Sequence, residues 1–121
     1  MDSAQLRQRV TIAVESLIRR IGQSYEFTVV LGSGLLSFVD RMDGQTIVPY
    51  AEIPGFPVST VKGHASEIVA GSIGGHRVLC FAGRFHYYEG YDAATVAIPV
   101  RVAQALGVHI ALFTNAAGGI A

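Results

Sequence analysis

The chain has 121 residues, half of them apolar, with 14 glycines, nine Lys and Arg balanced by nine Asp and Glu, and a single cysteine. This size suits one domain or a piece of a larger one, and so apolar a composition excludes a disordered chain. Zero formal charge and the lack of any Lys/Arg run exclude nucleic acid and anionic membranes as expected partners, and a lone Cys80 rules out an intrachain disulfide and a cysteine-based metal site.

The first expected element is a helix over residues 4–21. Leu6, Val10, Ala13, Val14, Leu17, Ile18 and Ile21 recur at helical spacing, and Gly22 supplies the stop. Phe27 to Leu31 is a buried strand that runs into Gly32-Ser33-Gly34. A short helix over Leu35 to Val39 and a strand over Gln45 to Tyr50 follow. Pro54-Gly55-Phe56-Pro57 is a loop by its turn residues. Glu67 to Ile73 and Arg77 to Ala82 flank Gly74-Gly75, which predicts a hairpin, and Cys80 falls at a buried position of its second strand. Gly83 to Tyr91 is irregular and dense in Arg, His, Tyr and Glu. Asp92 is a candidate N-cap for a helix that ends near Gly107, with Pro99 predicting a kink or a late start. His109 to Thr114 is the last strand and leads into Asn115-Ala116-Ala117-Gly118-Gly119.

The pattern is α/β. Strands this apolar need cover on both faces, and two helices are too few to supply it, so a longer parent chain is expected. The most apolar stretch, Ala93 to Phe113, is broken by Pro99, Arg101, Gln104, Gly107 and His109, so no membrane-spanning helix is expected. The N-terminus lacks the apolar core and cleavage site of a signal peptide, which makes the cytoplasm the expected compartment.

Two segments have the chemistry of an anion site. Gly32-Ser33-Gly34 after a strand lets exposed N–H groups and a hydroxyl approach an oxyanion, although strand-to-turn junctions also use Gly and Ser for steric reasons alone. It has neither the lysine of a P-loop nor the spacing of a dinucleotide fingerprint. In Gly83-Arg84-Phe85-His86-Tyr87-Tyr88-Glu89-Gly90-Tyr91, an extended backbone would put Arg84, His86 and Tyr88 on one side. A cation, an imidazole and a phenol there suit a phosphorylated or sugar-like ligand, and Glu89 is near enough in sequence to orient His86. An ordinary surface loop with an Arg–Glu pair accounts for the pattern equally well. The histidines His64, His76, His86 and His109 show no metal-ligand spacing, so no metal is expected. Ser33 lacks the Gly-x-Ser-x-Gly setting of a hydrolase nucleophile.

Taken in order, Val30-Leu-Gly-Ser-Gly-Leu35, Pro54-Gly-Phe-Pro57, Gly63-His64-Ala65, Gly83 to Tyr91 and Thr114-Asn-Ala-Ala-Gly-Gly119 resemble the trimeric purine nucleoside phosphorylases. The matches span nearly the whole chain. The resemblance implies a central mixed sheet flanked by helices, with residues 1–121 forming the N-terminal part of a single domain. It implies phosphate-dependent cleavage of purine (deoxy)ribonucleosides, a homotrimer at full length, and no cofactor beyond phosphate as co-substrate. By motif, His86 and Glu89 are the expected catalytic pair. Ser33, His64, Arg84, His86 and the backbone of Ala116 are expected on phosphate, Tyr88 and His86 on ribose, and Ala117 and Gly118 beside the purine. Leu36 and Ser66 stand where the family usually has Gly. Family members are more than twice as long, and their main purine-recognising residues come from the second half. Two alternatives accompany this reading: a non-catalytic phosphate-binding fragment, and a methylthioadenosine phosphorylase.

Overall fold

A computed structural model of the chain describes residues 2–31, 36–56, 66–82 and 97–113. The first element, α1, is Ser3–Ile21. Asp2 caps it: its carboxylate accepts from the Gln5 N–H at 2.8 Å, and the Gln5 amide oxygen accepts from the Asp2 N–H at 2.9 Å. This reciprocal box satisfies two N–H groups that a helix start leaves without partners. Leu6, Ala13, Leu17 and Ile21 fall on one stripe and are buried. Gly22 ends the helix with φ +73°.

The strands are β1 (Phe27–Leu31), β2 (Asp43–Pro49), β3 (Glu67–Ile73), β4 (His76–Ala82) and β5 (Ile110–Phe113). They form a five-stranded sheet in the order β2-β3-β4-β1-β5. β1 is parallel to both β4 and β5, whereas β3 is antiparallel to both β2 and β4. The sheet is therefore mixed, as expected. The β3–β4 hairpin turns through Gly74 and Gly75 with φ +58° and +82°, the pair of positive values that a tight hairpin demands.

Two expected boundaries move. The strand placed at Gln45 to Tyr50 starts at Asp43 and ends at Pro49, and Tyr50 opens a single 3-10 turn, Tyr50–Glu52. The short helix after β1 is a 3-10 helix, Leu36–Arg41. The second α-helix among the described residues, α2, is Ile98–Ala105. Pro99 lies in its first turn, where the missing N–H has no intrahelical acceptor to lose, and this matches the late start that the proline predicts. Asp92 lies outside the described residues.

Alternation along the strands sends side chains to two cores. Val30, Val48, Ile68, Ala70, Leu79 and Phe81 face α1 and α2, which contribute Leu17, Ile98, Val102 and Ala103, with Leu106 just past the end of α2. Val29, Leu31, Val69, Val78 and Cys80 face the other way, against Met42 and the 3-10 helix residues Phe38 and Val39. Each fully buried side chain of this kind contributes about 1.5–3 kcal/mol of transfer free energy. Both α-helices thus cover the same face. At the end of the sheet order, Ile110, Leu112 and Phe113 of β5 remain 49%, 52% and 58% exposed.

The opposite end of the sheet from the strand ends considered below is closed by Arg77. Its guanidinium lies 4.4 Å from the Tyr25 ring centroid and donates to the carbonyls of Gln23 and Ile21 at 3.1 and 3.4 Å. The Tyr25 hydroxyl donates to the Ile21 carbonyl, and Glu26 accepts from the Arg77 N–H at 3.1 Å. Together they tie the end of α1 to β4.

Candidate functional site

The strand registers decide where the candidate motifs converge. Leu31 pairs with Ala82, Ala82 with Glu67, and Glu67 with Pro49. Val30 pairs with Phe113 on the other side of β1. The carboxyl ends of β1, β4, β5 and β2 and the amino end of β3 therefore lie along one edge. The segment with Ser33 follows β1, the one with Arg84, His86, Tyr88 and Glu89 follows β4, and the one with Ala116, Ala117 and Gly118 follows β5. The segment with His64 ends where β3 begins. Adjacent strands lie about 4.8 Å apart, so these four junctions on β3, β4, β1 and β5 fit within roughly 14 Å. The carboxyl ends of parallel strands, at the point where connections diverge to opposite sides, are where open α/β sheets bind ligands. Here that point lies between β1 and β4: the chain leaves β1 for β2 on one side and leaves β4 for β5 on the other.

All of the expected site residues (Ser33, His64, Arg84, His86, Tyr88, Glu89, Ala116, Ala117 and Gly118) lie outside the described residues, as does Pro57. The described structure supplies the platform beneath them. Tyr50, wholly buried, begins the turn after β2 and donates its backbone N–H to the Ser66 carbonyl at 2.9 Å. Its ring lies 4.8 Å from that of Phe56, which stacks at 6.2 Å and 8° on Phe81, one residue before the end of β4. Sequence reading assigned no role to Tyr50 or Phe56. The aromatic residue directly after Pro54-Gly55 was the available signal, since a turn that ends in a large apolar side chain needs somewhere to bury it.

Ser66, one of the two departures from the family pattern, immediately precedes β3 and is held there by Tyr50. Leu36, the other, opens the 3-10 helix. Under this platform the Cys80 thiol and the Tyr50 phenol are held in their neutral forms. Burial, with the Glu67 carboxylate adding to it, pushes the Cys80 thiol up to about 12. Burial, then Cys80 and Glu67, raises the Tyr50 phenol well above its ordinary value. Cys80 is a packed strand residue, as expected, and has no thiolate to offer as a nucleophile near neutral pH. Among the described residues, no group of three His, Cys, Asp or Glu is arranged to hold a metal ion. Among the same residues, no helix is long and apolar enough to cross a membrane.

A mixed sheet with helices on one face, whose strand ends along one edge adjoin four glycine-bearing stretches of sequence, puts the chain in the α/β class. The chain belongs to the Phosphorylase superfamily, whose family model matches residues 26–121. It is 45% identical over 114 residues to purine nucleoside phosphorylase 1 of Geobacillus stearothermophilus, covering 94% of this chain and 42% of that protein. It is 50% identical over 97 residues to the purine nucleoside phosphorylase of Mycobacterium tuberculosis, covering 79% of this chain and 36% of that one. Among solved structures, it superposes with a TM-score of 0.85 on isoform 2 of the Schistosoma mansoni purine nucleoside phosphorylase in complex with cytosine and ribose-1-phosphate. That match has 37% identity and covers 93% of this chain and 40% of the other. The same organism's enzyme in complex with inosine matches with a TM-score of 0.82 at 38% identity, covering 93% of this chain and 39% of the other. The chain thus spans about two fifths of the length of these relatives.

Proposed function

We propose that the protein carrying this chain is a purine nucleoside phosphorylase, and that residues 1–121 form the N-terminal part of its single domain. It would cleave purine (deoxy)ribonucleosides with inorganic phosphate to the free base and (deoxy)ribose 1-phosphate. The observation that supports this reading is the register, which aligns along one sheet edge the strand ends that adjoin the four motifs in sequence.

The chemistry accounts for the residue types. A phosphate oxygen bonds to the anomeric carbon as the glycosidic bond breaks, and the electron pair leaves with the base, which takes up a proton. Positive charge develops on the ribose in between. A phosphate fixed beside it stabilises that charge, and holding both reactants together removes much of the entropic barrier. In this reading Arg84, Ser33, His64 and the Ala116 backbone hold the phosphate. Glu89 orients His86, which with Tyr88 lines the ribose, and Ala117 and Gly118 lie against the base. The reaction calls for no metal or organic cofactor. A homotrimer in the cytoplasm completes the proposal.

The test is inosine cleavage by the protein at its full natural length. Hypoxanthine release that requires phosphate is the expected result, and none with phosphate present would overturn the proposal. A second reading is favoured by the two-fifths coverage: this stretch alone retains only anion binding. Phosphate should then raise the thermal midpoint of the 121-residue chain by linkage without supporting turnover.

A further inference from the structure

The Ile53–Phe56 stem is fastened to α1 by a contact that nothing in the proposed chemistry requires. The Arg9 Nε donates to the Gly55 carbonyl at 3.0 Å across 46 residues of sequence, in a part-buried setting. At the same place the chain approaches α1 so closely that a Cβ on Gly55 would lie 2.8 Å from the Arg9 carbonyl oxygen, and Gly55 has φ +80°. The position therefore demands glycine twice over, once for backbone conformation and once for space. A turn pressed this closely on the helix and bonded to an arginine on it has a definite place relative to α1.

From Gly55 the connection runs in two directions. Phe56 packs on Tyr50, whose N–H holds the Ser66 carbonyl. Phe56 and Ser66 are the residues on either side of positions 57–65, so both ends of the segment that carries His64 are held by the same tyrosine. Phe56 also stacks on Phe81, and Ala82 then leads to the segment that carries Arg84. The stem thus abuts the ends of two of the segments assigned to phosphate. β5, which leads to Ala116 on phosphate and to Ala117 and Gly118 beside the purine, pairs among the described residues with β1 and lies two strand positions from β4.

We propose that Arg9 is a positioning residue for phosphate: by fixing Gly55 against α1 it sets where the His64 and Arg84 segments begin. It acts through Phe56, Tyr50 and Phe81 and touches no substrate. This inference rests on the proposed phosphorylase reading. Arg20 makes a second tie from α1, to Glu52 at 3.1 Å, but both side chains are more than a third exposed, and the pair joins the stem ahead of Gly55. It serves as the internal control.

The experiment compares Arg9→Met, Arg9→Gln and Arg20→Gln in the full natural-length protein. Met matches the arginine stem in length but offers no donor at the Nε position; Gln keeps an N–H donor there. Steady-state kinetics with phosphate and inosine varied separately, and thermal midpoints, are measured for each. Arg9→Met should raise the KM for phosphate about fivefold, the loss expected for one net hydrogen bond, and the KM for inosine by clearly less, because His86 and Tyr88 share only one of the two affected segments. Arg9→Gln should restore the phosphate KM, and Arg20→Gln should leave it unchanged. If Arg9→Met does not fold, Phe56→Leu should give the same split, because it removes the stack on Phe81 and keeps most of the volume. Equal rises in both KM values, or a lowered thermal midpoint with both unchanged, would overturn the inference and leave Arg9 a purely structural residue. A wild-type protein with no phosphate-dependent turnover would instead overturn the proposed function, and this inference with it.

Discussion

Gly55 and Gly44 have the same kind of backbone and opposite surroundings, which makes a paired substitution to alanine informative. Gly44 has φ +60° and nothing within 4 Å of an added Cβ; Gly55 has φ +80° and the Arg9 carbonyl oxygen at 2.8 Å. The left-handed conformation costs an alanine roughly 1–2 kcal/mol, partly offset by about 0.4–1 kcal/mol because alanine also stiffens the unfolded chain. Gly44→Ala should therefore lose about 1 kcal/mol, and no more than about 1.6. Gly55→Ala bears the same conformational cost and must also move a helix carbonyl, and overpacking of this kind adds about 1–3 kcal/mol. Its total should reach roughly 2–4 kcal/mol. Urea unfolding followed by circular dichroism reads both, as a fall in midpoint with unchanged slope. Equal losses at the two positions would refute the claim that the stem is pressed against α1, and with it the reason for glycine at position 55.

Cys80, buried and shifted to about 12 by burial and then Glu67, should resist alkylation in the native protein at pH 8 and react at once in denaturant. Its raised value also has a stability consequence. The neutral thiol's contribution is complete below the unfolded value near 9 and is lost as pH climbs towards 12, so the advantage of wild type over Cys80→Ala should shrink across that window in urea titrations. Asp2→Ala should cost about 1 kcal/mol by removing the cap on α1, measured by the same unfolding assay. At the other end of the sheet, Arg77→Ala should lower the thermal midpoint clearly. His76→Ala should hardly move it, because the His76–Glu26 pair is more than half exposed on both sides and surface pairs contribute about 0–1 kcal/mol.

Periodicity is enough to locate α1 and the apolar run Phe27 to Leu31 to locate β1, while the β3–β4 hairpin also needs its Gly74-Gly75 turn. The Asp2 cap is also written in the sequence, as Asp followed three positions later by Gln. What periodicity could not provide was side: nothing in the stripes of α1 and α2 says that both pack on the same face of the sheet. The motifs of the site were legible as an ordered set, but their convergence was not. His64 precedes a strand while Ser33, Arg84 and Ala116 follow theirs. Only the antiparallel register Glu67 to Ala82 turns that difference in sequence into a shared edge. Arg9 was invisible for a related reason, since its partner Gly55 is 46 residues away and is met through a backbone carbonyl that carries no sequence signature.

The exposed side chains of β5, at the end of the sheet among the described residues, also govern how material containing this stretch alone would behave in a tube. Ile110, Leu112 and Phe113 present apolar area beside a strand whose other neighbour is β1, and such edges recruit further strands. Ordinarily, like-charge repulsion between molecules opposes that recruitment, but here the formal net charge is zero and the isoelectric point is about 6.9. Colloidal stability should therefore pass through its minimum near neutral pH and improve on either side, where net charge of one sign returns.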